Sequence, residues 1–366
     1  MVVQQDGAKI GSLGTVYKAQ LTQEMKTSKG VNVDDVAYKV TECSCKTLQI
    51  RAQRECLVIR DCCHPNIVKH YFDKQSDGKV ELVMEWMDLG SLETFMNSFA
   101  KTGFSWDRDL EMLRGIVFQI VAGLAYLHTV MDVYHRDIKS ENILVNKEGR
   151  VKLCDFDAVF IKNRPSEMEA QLVQGDVAET TTGTQGCMAP EMVSKGYNEK
   201  VDSWSLGIAI FKIVTGKVAA ANGKLFNAYD EKNDDLLGTD YSMVIDKDLC
   251  CLLKDLIRVS PDHRLSALQL LEHPFFAMGC CIPVLDVDDD MQKYLIGAKV
   301  NVLGQSMSVV LSEWKSYRIK ISENSKDVRN FNGIMKRIVF AMEEPAICAV
   351  KNWVAKFVCS PEHQVS

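Results

Sequence analysis

The sequence lacks an uninterrupted apolar run as long as a membrane span. No stretch of about 18 consecutive apolar residues occurs among its 366 residues, and the opening segment MVVQQDGAKIG has no apolar core of signal-peptide length. We therefore expect a soluble protein without a membrane span, located in the cytoplasm.

Positive charge is not in excess either. The 43 lysine and arginine residues are outnumbered by 49 aspartate and glutamate residues, which gives a formal net charge of -6. A chain with this balance has no overall attraction to nucleic acids or to acidic membranes. We expect no nucleic-acid partner.

A regular cysteine framework is also missing. The chain has 13 cysteines, an odd number, and they are not evenly spaced as in small secreted domains. Cys43 and Cys45 have no second Cys or His pair at zinc-ligand spacing. These observations argue against a disulfide scaffold and a cysteine-held metal, and they indicate a reducing compartment.

Short β-branched runs separated by turn residues fill the first 90 residues. The runs GTVYKAQL, VAYKV, NIVKHYF and KVELVMEW predict a mostly antiparallel sheet. One helix is predicted between Thr47 and Arg60, where Arg51, Glu55 and Ile59 recur at four-residue steps and share a face. The first part of the chain is therefore expected to be β-rich.

Helical spacing replaces these runs from Asp107 onward. An apolar stripe from Leu110 to Leu127 predicts one buried helix, a second is predicted from Val201 to Val214, and a third ends before Pro274. The 46% hydrophobic content of the chain is enough for a large core, in two or three domains or one two-lobed unit.

A turn-rich and acidic connector, GCCIPVLDVDDD, follows Phe276 and marks a predicted boundary. The segment beyond it has two strand-like runs and two amphipathic helical patterns split by Pro345. The predicted strands are Lys299 to Leu303 and Tyr317 to Ile321, and the predicted helices lie around Phe331 to Met342 and Ala346 to Val358.

Two acidic tripeptides stand close together in HRDIKSENILVNKEGRVKLCDFDAVF, residues 135 to 160. An isolated His-Arg-Asp would more often be a surface turn. Together with the motifs around it, the segment resembles the protein kinase superfamily, and the resemblance covers about residues 8 to 276. The phosphoryl transfer from ATP that this resemblance implies needs positioned cations, metal ligands and a carboxylate that orients the attacking hydroxyl.

The resemblance assigns roles to the residues of these tripeptides. Asp137 matches the catalytic base, and Lys139 matches the lysine that steadies the transferred phosphate in serine/threonine kinases. Asn142 and Asp155 match the ligands of Mg²⁺. Because tyrosine kinases usually carry another residue at the position of Lys139, the resemblance favours Ser or Thr as the accepting residue.

The resemblance also implies a nucleotide site. Lys39 would contact the α- and β-phosphates with Glu55 as its ion-pair partner, and IGSLGTVYKA resembles the glycine-rich loop, with Lys9 at its first glycine position. Adenine would be held at the segment 84 to 87, with Met84 as gatekeeper. The implied nucleotide-binding residues are Gly11, Gly14, Val16, Ala37, Lys39, Glu55, Glu85 and Met87.

Further matches lie in the segment GTQGCMAPE and beyond it. Thr184 would contact Asp137 and Lys139, and Glu191 would pair with Arg264. Asp202 in VDSWSLG resembles the aspartate that braces the catalytic loop.

Thr180, Thr181 and Thr182 lie in the long activation segment, and Arg136 precedes Asp137. In the family, an arginine at this position often pairs with a phosphorylated residue. The hypothesis is phosphorylation of this run by an upstream activating kinase; the alternative is a flexible hydroxyl-rich loop.

The resemblance implies an α+β, two-lobed protein kinase fold for residues 1 to 276. A small β-rich N-lobe would extend to about residue 86, a larger and mainly helical C-lobe would follow over residues 87 to 276, and ATP and Mg²⁺ would lie between them. A C-terminal α/β extension would occupy residues 277 to 366. The implied function is transfer of the ATP γ-phosphoryl group to a Ser or Thr hydroxyl of a protein substrate.

Asp157 departs from the family pattern because glycine is usual at this position, as does Lys9 in the glycine-rich loop. Glycine tolerates positive φ, and this freedom helps the segment switch between arrangements. The competing hypothesis is a pseudokinase or scaffold that binds nucleotide or protein partners without efficient catalysis. The retained Lys39, Asp137 and Asp155 favour the active enzyme.

Overall fold

The computed structural model describes most of the chain. The described residues are 2–3, 9–10, 13–99, 109–162, 184, 186–193, 196–216, 229–230, 235–236, 241–244, 246–276, 305–320 and 325–357. Gly11, Thr180 to Thr182 and the predicted strand from Lys299 to Leu303 lie outside them.

An antiparallel six-stranded sheet forms the N-lobe, as the β-branched runs predict. The strands are β1 (Val2–Val3), β2 (Lys9–Ile10), β3 (Thr15–Gln20), β4 (Asp35–Glu42), β5 (His70–Ser76) and β6 (Lys79–Glu85). Their order in the sheet is β1-β3-β4-β6-β5, with β2 also paired to β3. Lys39 lies on the central strand β4, opposite Val16 on β3 and opposite Leu82 on β6.

Two helices accompany this sheet, and only the second was predicted. Helix α1 (Gln23–Lys29) is capped by Thr22, whose hydroxyl accepts from the Met25 amide, and it ends at Gly30 with φ of 64°. None of its seven described residues is buried, so it carries no apolar stripe that the sequence could reveal. Helix α2 (Lys46–Asp61) buries a face that includes Glu55 and confirms the predicted helix.

The C-lobe is built around helix α4, which is buried along almost its whole length. With its π-helical continuation it spans Leu110–Met131 and is long and apolar enough to cross a membrane, but 78% of its most apolar window is buried inside the protein. Its composition is therefore that of a core helix. The helices of this lobe are α3 (Leu92–Phe99), α4 (Leu110–Tyr126), α5 (Lys200–Thr215), α6 (Lys247–Leu256) and α7 (Ala267–Leu270).

Helix α7 is only one turn long. Ser266 caps it by accepting from the Gln269 amide, while the Gln269 side chain accepts from the Ser266 amide. The chain turns after Leu271 and forms a 3-10 turn over Pro274–Phe276. The predicted helix that ends before Pro274 is therefore present as a single turn.

Short strands frame the loop that contains the two acidic tripeptides. Two of them form a hairpin and two others pair across the loop. The strands are β7 (Val133–Tyr134), β8 (Ile143–Val145), β9 (Val151–Leu153) and β10 (Phe160–Ile161), and a further hairpin is formed by β11 (Tyr229–Asp230) and β12 (Asp235–Leu236).

The described part of the C-terminal extension is helical. Helices α9 (Ser325–Met342) and α10 (Glu344–Phe357) confirm the two predicted helices. The strand predicted at Tyr317 to Ile321 is wrong, because residues up to Lys320 belong to α8 (Met307–Lys320). The local β-branched pattern is overridden by a helix whose earlier turns bury Leu311 and Trp314.

The extension packs directly on the C-lobe. Helix α10 approaches α4 so closely that a Cβ added at Gly115 would lie 2.5 Å from the Ala346 backbone oxygen. The Trp314 ring of α8 packs at a tilt against the Tyr126 ring, with centroids 4.9 Å apart, and both side chains are fully buried. The division of the chain at residue 276 stays a prediction, but the extension shares one hydrophobic core with the C-lobe.

Candidate active site

Lys39 connects the sheet, helix α2 and the second acidic tripeptide. Its Nζ lies 2.8 Å from both carboxylate oxygens of Glu55 and 2.7 Å from Asp155 Oδ1. Burial lowers the pKa of Lys39, but the two carboxylates outweigh this effect and raise it above its ordinary value. Lys39 therefore remains an ammonium group.

The two carboxylates respond differently to their surroundings. Burial raises the pKa of Glu55, and Lys39 only partly opposes this shift. Burial also raises the pKa of Asp155, but the Lys39 charge and hydrogen bond outweigh it, so the pKa lies below its ordinary value. Asp155 is thus held as a carboxylate beside a buried cation.

Asp137 stands at the centre of a second group of polar side chains. Its Oδ1 accepts from the Thr184 hydroxyl at 2.8 Å, and its Oδ2 accepts from Lys139 Nζ at 2.7 Å. Lys139 also donates to the Thr184 hydroxyl at 2.6 Å. Burial lowers the pKa of Lys139, but its hydrogen bond to Asp137 raises it to a net value above the ordinary one. The contacts predicted for Thr184 are present.

Asn142 belongs to the same group of polar side chains and also lies close to Asp155. Its Nδ2 donates to the Asp137 backbone oxygen at 2.9 Å and to Asp137 Oδ2 at 2.8 Å. Because both amide hydrogens are directed to Asp137, the amide oxygen is directed away from it. The Asn142 backbone oxygen accepts from the Cys154 amide at 3.0 Å, which brings the residue next to Asp155.

A magnesium ion fits these donors by chemistry. Amide and carboxylate oxygens are hard ligands, and Mg²⁺ usually takes one or two from the protein and completes its shell with water and phosphate oxygens. Among the residues that the structure describes, no three His, Cys, Asp or Glu side chains form a group suited to a metal. Asn142 and Asp155 are oxygen donors that could hold the ion, with phosphate oxygens among its other ligands.

Asp202 on α5 braces the loop that contains His135, Arg136 and Asp137. Its Oδ2 and Oδ1 accept from the backbone amides of His135 and Arg136, each at 2.7 Å, and Oδ2 also contacts His128 Nε2 at 2.8 Å. Arg136 has φ of 64°, a conformation that costs a non-glycine residue free energy. The bracing role predicted for Asp202 is therefore visible in its contacts.

Some of the predicted nucleotide-binding residues lie on or next to β4 and β6, which are neighbouring inner strands of the sheet. Ala37 lies opposite Met84 in the pairing of β4 with β6, and both side chains are buried, as is Met87. The Glu85 side chain is engaged by other residues: its carboxylate lies 2.5 Å from Lys152 Nζ and accepts from the Lys69 amide at 2.9 Å. Contacts of Glu85 and Met87 with adenine stay a prediction.

The glycine-rich segment is described only in part. A Cβ added at Gly14 would lie 2.3 Å from the Val40 backbone oxygen, so the close packing of β3 on β4 already requires glycine there. Lys9, at the first glycine position, lies in β2 opposite Val16. Phosphate contacts from this segment stay a prediction.

Glu191 and Arg264 form the predicted pair. Arg264 donates from Nη1 to Oε1 at 2.5 Å and from Nη2 to Oε2 at 3.1 Å, and its guanidinium also donates to the backbone oxygens of Lys200, Arg258 and Val259. The Arg264 side chain is fully buried. The fork geometry accounts for an arginine at this position.

Two arginines make contacts that the sequence did not predict. The Arg136 guanidinium donates to Tyr197 Oη at 2.8 Å and to the backbone oxygens of Ala158 and Val159. Arg51 of α2 donates to Asp157 Oδ2 at 2.8 Å. For the second contact the sequence indicated only that Arg51 shares a helix face with Glu55, not that Asp157 is its partner.

Comparisons with known proteins agree with this geometry. The family model of the protein kinase domain matches residues 7–276. The chain is similar to Mitogen-activated protein kinase kinase 2 of Arabidopsis thaliana, with 29% identity over 74% of this chain and 71% of the relative. It is also similar to Mitogen-activated protein kinase kinase kinase ANP1 of Arabidopsis thaliana, with 27% identity over 90% of this chain and 46% of the relative.

A third relative comes from another organism. Probable serine/threonine-protein kinase mkcB of Dictyostelium discoideum is 29% identical over 78% of this chain and 36% of its own length. The match to the family model extends over more than half of the chain and includes both lobes and the tripeptides. The chain therefore belongs to the protein kinase family, and the predicted two-lobed fold is confirmed.

Proposed function

We propose that the chain is an ATP-dependent protein serine/threonine kinase that transfers the γ-phosphoryl group to a Ser or Thr hydroxyl of a protein substrate. The observation that carries this proposal is the position of the Thr184 hydroxyl between Asp137 and Lys139. An aliphatic hydroxyl there donates to a carboxylate and accepts from an ammonium group. A substrate hydroxyl needs the same two partners.

Each side chain would contribute to one part of the transfer. Asp137 orients the substrate hydroxyl and accepts its proton as the oxygen bonds to the γ-phosphorus, while the bond from that phosphorus to the β-phosphate oxygen breaks and ADP leaves. Lys139 lies 2.7 Å from Asp137 Oδ2, where its charge offsets that of the transferred group. Lys39 holds the α- and β-phosphates and is itself held by Glu55.

Asn142 and Asp155 would hold Mg²⁺ in this reaction. The ion supplies positive charge that neutralises the phosphate oxygens. The contribution of the chain is to keep the Asp155 carboxylate ionised beside Lys39 and to fix the Asn142 amide through Asp137.

The proposal extends to partners and location. The named relatives include kinases of mitogen-activated protein kinase cascades, which favours protein substrates and an upstream activating kinase for this chain. The cysteine pattern favours the cytoplasm.

A nucleotide-binding or protein-binding scaffold is the second candidate, and Asp157 is the observation that favours it. A carboxylate at this position would repel ATP phosphates if it pointed into the cleft. Its side chain is instead buried and paired with Arg51, and Lys39, Glu55 and Asp155 remain in contact beside it. This arrangement supports the enzyme over the scaffold.

Phosphate transfer from radiolabelled ATP with Mg²⁺ tests the proposal. Asp137→Asn should reduce transfer about a hundredfold or more, because the amide cannot accept the hydroxyl proton. Asp77→Asn, the same change in the exposed turn between β5 and β6, should leave it intact. Equal transfer by wild type and Asp137→Asn contradicts the catalytic assignment.

Thermal unfolding with and without Mg²⁺ and ATP separates the two candidates. A ligand that binds only the native state raises its stability. A wild-type protein that is stabilised by nucleotide but transfers no phosphate is a nucleotide-binding scaffold, and one that does neither is a protein-binding scaffold. The enzyme requires both stabilisation and transfer.

A further inference from the structure

Helix α2 is joined to the second acidic tripeptide at two points one helical turn apart. Glu55 reaches the tripeptide through Lys39, whose Nζ lies 2.7 Å from Asp155 Oδ1. Arg51, four residues earlier on the same face, reaches Asp157 Oδ2 at 2.8 Å. The contacts form a closed ring: Lys39 to Glu55, along α2 to Arg51, across to Asp157, and back through Phe156 and Asp155 to Lys39.

The contact between Arg51 and Asp157 is largely buried, which determines how much its loss would cost. The Asp157 side chain is 2% exposed and that of Arg51 is 31% exposed. A carboxylate in so dry a place is costly unless a cation compensates it, and removal of the cation costs much more than removal of an exposed partner. Arg51 provides this charge from a helix that also carries the partner of Lys39.

The backbone at Asp157 fits this arrangement. Asp157 lies in a 3-10 turn over Phe156–Ala158, and the described non-glycine residues with positive φ are Asp132, Arg136 and Asp155. Glycine is therefore not required at position 157 here. An arrangement with positive φ at this position would be open to glycine and unfavourable for aspartate.

We propose that Arg51 and Asp157 are a positioning pair that locks α2 onto the second acidic tripeptide and so keeps Lys39, Glu55 and Asp155 assembled. Where glycine would leave the backbone at position 157 free to adopt positive φ, this pair holds it in one arrangement. Its effect on phosphate transfer rests on the proposed function, but the attachment of α2 does not. A third contact, from Arg54 Nη1 to the Val159 backbone oxygen at 3.4 Å, is left in place in every variant below.

Hydrogen exchange of the α2 amides in the full chain tests the attachment without reference to activity. Arg51→Gln and Asp157→Asn should each exchange roughly tenfold faster across Lys46–Asp61, because local opening no longer breaks the ion pair. Arg51→Lys keeps the charge and should stay close to wild type. Arg60→Gln is the matched control, since Arg60 lies on the same helix and its partner Asp73 is on β5.

The double variant decides whether the two residues act as one unit. Arg51→Gln combined with Asp157→Asn should exchange no faster than the faster single variant, because the second change removes a partner that is already lost. Additive effects, or unchanged exchange in both single variants, overturn the proposal. If Asp157→Asn does not fold, the α2 exchange rates of Arg51→Gln and Arg51→Lys are compared instead. Equal rates in these two variants overturn the proposal.

Kinetics then connect the pair to the reaction. If the wild type transfers phosphate, Arg51→Gln should lower kcat and weaken Mg²⁺–ATP binding together, while Arg60→Gln should change neither. A wild type without transfer defeats the proposed function and leaves the exchange result standing. Normal kinetics in a variant with rapid α2 exchange overturns the positioning role.

Discussion

Arg150, immediately before β9, forms a buried ion pair with Glu343 at the junction of α9 and α10. The Arg150 guanidinium also lies over the Phe340 ring, 4.2 Å from its centroid. The hairpin formed by β8 and β9 follows the catalytic loop directly. The extension is thus attached to the hairpin that lies between Asn142 and Asp155, through a side-chain pair that is shielded from water.

Loss of the Glu343 carboxylate should destabilise the whole chain. Glu343→Ala leaves the Arg150 guanidinium buried without its acceptor, and we expect it to lower the free energy of unfolding by roughly 3 kcal/mol. Glu344→Ala removes the neighbouring exposed carboxylate and should cost less than about 1 kcal/mol. Urea unfolding of both variants measures the difference. Equal stability of the two variants would show that the pair does not hold the extension.

The buried histidine at the same junction should make stability pH-dependent. His64 stacks on Tyr126 at 4.8 Å, and burial together with the charge of Arg150 lowers its pKa well below the ordinary value. Below about pH 6.5 the unfolded state therefore binds a proton that the folded state does not, so stability is present above this pH and lost as the pH falls.

Replacement of His64 should remove this loss. As the pH falls from 6 to 5 the wild type should lose more stability than His64→Gln, by at most about 1.4 kcal/mol per pH unit. The difference between the two unfolding curves isolates His64 from His70 and His273, whose pKa values are also lowered by burial. Parallel curves would mean that His64 titrates equally in both states.

The buried arginine near the activation segment should not tolerate lysine. Arg264→Lys keeps one charge but loses the fork that holds Glu191 and three backbone oxygens, so it should cost roughly 2–4 kcal/mol. Arg258→Lys, at a partly exposed pair with Asp255, should change stability by less than about 0.5 kcal/mol. Thermal unfolding of both variants measures these losses of stability. If Arg264→Lys is almost as stable as the wild type, the forked geometry of the guanidinium does not explain the arginine at this position.

The sequence predicted best where a single periodicity was long or a motif had several spaced parts. The stripe from Leu110 to Leu127 became α4, and the spacing of Arg51 and Glu55 correctly placed both on one face of α2. Residues far apart in the chain, such as Lys39 and Asp155, could be brought together only through the family resemblance. The structure places them 2.7 Å apart, while their roles in binding and catalysis stay predictions.

Other features had no local signal. Helix α1 is fixed by its caps without a buried face, and the strand-like pattern at Tyr317 is overridden by the packing of Trp314 one turn earlier. The partner of Asp157 depends on how the loop after β9 meets α2, which no spacing in the sequence reports. Tertiary packing therefore decides what the sequence pattern leaves open.

Two helical glycines allow a matched test of how tightly the extension packs. A Cβ at Gly115 on α4 would lie 2.5 Å from the Ala346 backbone oxygen, whereas one at Gly333 on α9 would meet no described atom within 4 Å. Gly333→Ala should stabilise the chain by roughly 0.5–1 kcal/mol, because alanine restricts the unfolded chain and favours helix. Gly115→Ala gains the same amount but forces α10 away from α4, with a net cost of roughly 1–2 kcal/mol.

The opposite signs of these two effects are the measurable outcome. Urea unfolding should place Gly115→Ala below the wild type and Gly333→Ala above it. Hydrogen exchange in Gly115→Ala should rise first in α10 (Glu344–Phe357), because this helix must move to make room. If both alanines stabilise the chain, α10 moves freely on α4, and the close approach at Gly115 does not anchor the extension to the C-lobe.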